Sequence, residues 1–130
     1  MLWKRYRKSM EVLMDKKFNV NWKGVDYTLV FNLNVMEEIQ EEYGSISKWG
    51  ELTDVSKEPN AKAVLFGLTA MINEGIDIDN DDNANTEGYT PKKFLSKKQV
   101  GRLITDVGLM EATQKINDTV ISATASDEKN

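Results

Sequence analysis

The sequence predicts an α+β domain in which an N-terminal antiparallel β-hairpin packs against three to four α-helices. Two patterns carry that prediction. Apolar and polar residues alternate from Phe18 to Phe31, and from Asn34 onward apolar residues recur at helical spacing. The length of 130 residues suits one domain. A chain of that size buries about two-thirds of its unfolded surface without covalent staples.

Residues 1–16 differ in character from the rest of the chain. Lys4, Arg5, Arg7 and Lys8 sit opposite Leu2, Trp3, Tyr6, Met10, Leu13 and Met14 at near-helical spacing. This suits a flexible basic amphipathic arm, or residues added by a start codon upstream of a domain beginning near Met10 or Met14. The second reading is adopted, because nothing downstream is both basic and aromatic. The single domain then covers residues 17–123. Phe18, Val20 and Trp22 alternate with Lys17, Asn19 and Asn21, and Val25, Tyr27, Leu29 and Phe31 alternate with Asp26, Thr28 and Val30. Between the runs lies Lys23-Gly24, a two-residue connection whose glycine tolerates the positive φ of a tight hairpin. One face of the hairpin is therefore buried, and helices must cover it, since a lone hairpin is not stable in water.

Asn34 is the predicted N-cap of the first helix, with Glu37 returning the capping bond. Val35, Met36, Ile39 and Tyr43 face inward, the glutamates face solvent, and Gly44 ends the helix. Residues 47–54 form a short helical turn around Trp49. Pro59-Asn60 then opens a helix with the core stripe Ala61, Val64, Leu65, Leu68, Met71 and Ile72. Ala63, Phe66, Gly67 and Ala70 lie off that stripe and are also apolar. Such a helix is either central in the fold or presents a second face to another molecule. An acidic loop is expected at about 76–90, in a stretch where Glu74, Asp77, Asp79, Asp81, Asp82 and Glu87 have no base among them. Ser96 caps the next helix, with Gln99 completing a capping box and Val100, Leu103, Ile104 and Val107 facing inward. After Gly108 comes a last helix with Leu109, Ala112, Ile116, Val120 and Ala123 on one side, then a disordered tail over 124–130.

Composition excludes most chemistry. There is no cysteine and no histidine, so thiolate sites, disulfides, the commonest zinc ligand and the commonest general base are all missing. The formal charge of −4 disfavours nucleic-acid binding by the whole domain. Neither a signal peptide nor an apolar run of membrane-spanning length is read, so a soluble protein of a reducing compartment, without membrane contact, is expected. The acidic stretch does not read as a calcium loop: counted from Asp77, positions six and twelve are Asp82 and Gly88, and counted from Asp79 they are Ala84 and Thr90. No phosphate-binding glycine motif or nucleophile elbow occurs. Lys92, Lys93, Lys97, Lys98 and Arg102 raise a DNA-reading alternative. However, the helix that would enter the groove carries Lys115 alone against Glu111 and Asp118. The lysines are better read as answering the acidic loop.

The order of these pieces resembles a known family. The hairpin FNVNWKGVDYTLVFNL runs into the capped acidic helix NVMEEIQEEYGSISKWGEL. The apolar helix PNAKAVLFGLTAMINEG and the pair LSKKQVGRLITDVGLMEATQKINDTV come after it. Over residues 17–123 the chain resembles the tail assembly chaperones of siphophages and myophages of Gram-positive hosts, most tellingly at Phe31–Gly44 and Gly101–Leu109. The resemblance implies a non-enzymatic protein of the bacterial host cytoplasm that is absent from the mature virion. It would bind and solubilise the tape measure protein and recruit tail tube subunits, with no cofactor, metal or nucleic acid. Phe66 and Ala70 are the expected partner-binding residues, with Ile121 a third because it lies off the last helix's core stripe. The alternatives are a structural neck or tail-completion protein of the virion, which particle mass spectrometry separates from a chaperone, and a small nucleic-acid-binding phage regulator.

Overall fold

In the computed structural model, which describes residues 19–128 and side chains through Thr124, the hairpin forms where the alternation places it. Strand β1 (Asn19–Trp22) pairs antiparallel with β2 (Val25–Thr28), setting Val20 opposite Tyr27 and Trp22 opposite Val25. Lys23 and Gly24 have φ of 53° and 79°, the two positive values of a type I′ turn. Val20 and Trp22 are buried, and the Trp22 indole N–H donates to Asp106 at 2.7 Å, fastening the hairpin to the fourth helix. The ladder stops at Thr28 rather than Phe31. Leu29 stays buried, and the Val30 N–H donates to the Met71 carbonyl at 3.3 Å as the chain crosses the third helix. Phe18 and the extension over residues 1–16 lie outside the described residues.

Helix α1 (Leu33–Tyr43) starts at a different cap from the one predicted. Asn32, not Asn34, accepts from the Val35 N–H at 3.2 Å. Glu74, a carboxylate about forty residues away in sequence, holds this helix start: it accepts from the Asn32 amide at 2.6 Å and from the Asn34 amide at 2.9 Å. Gly44 ends α1 at φ 88° with its N–H on the Gln40 carbonyl. The predicted turn around Trp49 is a full helix, α2 (Ile46–Leu52), capped by Ser45.

Helix α3 (Ala61–Asp82) is capped by Asn60 and is 22 residues long, about 33 Å. It touches β2 and every other helix, and so is the central element. Val64, Leu68, Met71 and Ile72 are buried as the stripe predicts, whereas Ala61 is exposed and Ala63 and Gly67 are buried. Two glycines explain how so much packs on one helix. A Cβ on Gly67 would meet the Trp49 ring, and a Cβ on Gly75 would meet the Thr28 carbonyl.

The acidic loop expected from residue 76 begins later, because α3 continues through Ile76 to Asp82. Four aspartates near a helix C-terminus oppose the helix dipole, so the extension needs tertiary support. Buried Ile76 provides part of it, and the segment returning along the helix provides the rest. Asn73 donates to the Leu95 carbonyl and accepts from the Leu95 N–H, both at 2.9 Å. Asn80 does the same for Lys92, at 3.0 and 2.9 Å. Seven helical residues rise about 10.5 Å and three extended residues span about 10 Å, so the two clamps are in register. Lys92 adds an ion pair to Asp79 at 3.1 Å, and the Tyr89 hydroxyl donates to Asn80 at 2.7 Å.

Helix α4 (Lys97–Val107) carries the Ser96–Gln99 capping box, and Val100, Leu103 and Ile104 are buried. Gly108, at φ 100°, separates it from α5 (Leu109–Glu128). The backbone over 124–128, read from sequence as a disordered tail, is helical. Buried Thr113 and Thr119 join Ala112 and Ile116 on the inner face, because each hydroxyl donates to the carbonyl four residues back. The α+β class therefore stands, with five helices among the described residues. None of these is long and apolar enough to cross a membrane.

Candidate interaction groove

The second apolar face of α3 does not disappear into the core. Phe66 and Ala70, four residues apart and so on one side of the helix, are half-buried and line a groove of about 500 Å³ against α1. Val35 forms part of its floor. The opposite wall is Phe94, 57% exposed. The asparagine clamp explains this placement: Asn73 holds the Leu95 backbone with the Leu95 side chain inward, while Phe94, the preceding residue, stays outward.

Polar groups in the groove are mostly engaged already. Asn73 is spent on Leu95, Glu74 on Asn32 and Asn34, and the Thr69 hydroxyl donates to the Leu65 carbonyl at 2.7 Å. The rim is different. Glu38 from α1 and Asp77 from α3 are exposed and make no ion pair among the described residues, and Lys97 is the cation at the edge. The arrangement is an apolar floor under an acidic rim, with few free polar groups to orient a small polar ligand.

Of the three residues expected to bind a partner, the structure brings Phe66 and Ala70 together. Ile121 is 62% exposed on α5 and does not line the groove. Phe94 was missed from sequence; an aromatic beside an inward leucine, between Lys93 and Ser96, was the available signal. Of the basic stretch, Lys92 answers an acid of α3, whereas Lys98 and Arg102 lie with Trp22 and Asp106 around a separate shallow depression. Among the described residues no group of three or more acidic side chains converges as a metal site would require.

Behind the groove, the Tyr43 ring meets Phe66 edge-on, with centroids 5.5 Å apart at 81°. Its hydroxyl is enclosed without a hydrogen-bond partner among the described residues. Burial, and after it the Glu42 carboxylate, raises the Tyr43 phenol above its usual value. A raised folded-state value stabilises below the unfolded value, near pH 10, and that stabilisation is lost as pH climbs past it. Tyr43→Phe is therefore expected to leave the melting temperature unchanged or raised at neutral pH, because it removes an unpaired buried hydroxyl. It should also flatten the loss of stability above about pH 10. Thermal melts at neutral and alkaline pH check both; a clear loss at neutral pH would mean the hydroxyl has a partner.

Comparison with family models, with curated proteins and with solved structures finds no match to this chain.

Proposed function

We infer that the chain is a non-enzymatic phage tail assembly chaperone. It covers apolar helical surface on the tape measure protein, keeps that protein soluble in the host cytoplasm, and yields it to tail tube subunits. The observation that carries this reading is the groove lined by Phe66, Ala70 and Phe94, where aromatic surface stays accessible. An accessible apolar groove lined by two aromatic rings suits reversible contact with apolar side chains of a partner. A net charge of −4 works against self-association of a carrier while such a groove is open. The order of hairpin, acidic helix, apolar helix and terminal helix pair, which resembles the chaperone family, supports the same reading.

The test is co-expression with a tape measure protein. Wild-type chain should hold it in the soluble fraction and co-purify with it, and Phe94→Asp should abolish both while melting like wild type. Phe94 is a cleaner probe than Phe66, whose replacement would also take an edge-on ring from Tyr43. Retention undiminished by Phe94→Asp would refute the groove as the contact. Finding the chain in purified virions would favour a structural tail protein instead.

A further inference from the structure

We propose that the groove is built for a partner α-helix about three turns long whose apolar stripe is flanked by lysine and arginine. This rests on the inference that the groove binds a protein partner, and adds the shape and charge of what it binds. Shape comes first. Along α3 the groove runs from Phe66 to Asp77, eleven residues or about 16 Å. It is lined by side chains of α1 and α3 and by the exposed ring of Phe94. A helix presenting apolar residues at i, i+3 or i+4, i+7 and i+11 covers that length. An extended strand would need free backbone partners along the groove. Here the backbone of the return segment is already paired at Leu95 by Asn73 and at Lys92 by Asn80.

Charge fixes the rest. Glu38 of α1 and Asp77 of α3 both line the groove and have no ion pair among the described residues, so cations beside the apolar stripe of a docked helix would each find a carboxylate. Glu37 and Glu41 extend the negative field along the exposed side of α1. Lys97, at the groove's edge, is the local exception. Complementary rims of this kind set orientation and partner choice more than raw affinity.

The test uses the full chain and three dye-labelled helical peptides followed by fluorescence anisotropy. One has a leucine stripe with lysine flanks, one the same stripe with glutamate flanks, and one lysine flanks with the leucines replaced by serine. The first should bind about tenfold or more tightly than the second, with the advantage shrinking at high salt. The third should not bind measurably. In the Glu38→Lys/Asp77→Lys variant the preference between the first two should invert, and Phe94→Ser should weaken the first by about tenfold. Equal binding of the first two peptides, a preference that survives charge reversal, or equal binding with and without leucines would overturn the proposal. So would self-association of the chain that competes with the peptides. The two inferences fail separately: if Phe94→Asp loses the tape measure protein but charge reversal changes nothing, only the charge assignment falls. If wild-type chain never retains the tape measure protein, the chaperone assignment falls whatever the peptides do.

Discussion

Truncating Trp49 to alanine is expected to cost about 3–5 kcal/mol of folding stability, the upper range for large-to-small core changes. The indole is 2% exposed, its N–H donates to the Ala63 carbonyl at 3.0 Å, and its ring lies against Gly67. Removing it opens a void between α2 and α3 and leaves that carbonyl without its side-chain donor. Small domains are stable by about 5–15 kcal/mol, so the variant should sit near the edge of folding. Gly67→Ala alone should cost about 1–3 kcal/mol, because the new methyl meets the indole and the clash outweighs the ~1 kcal/mol of helix propensity gained. The double variant should lose clearly less than the sum, because the void left by Trp49 accepts the methyl. Denaturant titration of the four proteins checks this. Strict additivity would mean that the indole and Gly67 do not share one space.

Gly75→Ala is the second large effect. The obstacle here is the Thr28 main-chain carbonyl at the end of β2, which has no rotamer to escape into. Relief requires lifting the hairpin from α3, which strains the neighbouring hydrogen bond from Val30 to Met71. Helix propensity again favours alanine by about 1 kcal/mol, so the sign of the result is informative. A net cost of about 2 kcal/mol or more is expected, a fall in melting temperature of roughly 8 °C or more. Faster hydrogen exchange should be confined first to the β1–β2 amides. A variant as stable as wild type would mean the hairpin is not seated on Gly75.

What could be read from sequence was what short-range chemistry decides. The Lys23-Gly24 turn, the terminators Gly44 and Gly108, the Ser96–Gln99 capping box and the inward residues of α4 each depend on partners within a few positions. The misreadings share the opposite property. The cap is Asn32 rather than Asn34, at a helix start whose two asparagine amides are both held by Glu74 of α3. Residues 76–82 looked like loop because the acidic side chains there have no base among them. Their helical state depends on buried Ile76 and on Asn73 and Asn80 gripping the chain at Leu95 and Lys92. Half of the groove was legible as the surplus apolar side of α3, where Phe66 and Ala70 lie. The other wall, Phe94, was not, since only the clamp on Leu95 brings it there. Ile121 shows the limit of stripe logic: leaving the core face of its helix exposes it without placing it beside Phe66.

On the proposed reading, the partner sits on the face joining α1, α3 and Phe94. Hydrogen–deuterium exchange of the full chain, alone and in complex with the tape measure protein, tests it most directly. Protection is predicted in peptides covering residues 34–38, 66–77 and 94–97, with little change around Lys98 and Arg102 or at Ile121. Protection centred on those latter residues, with the groove exchanging as in the free chain, would contradict it.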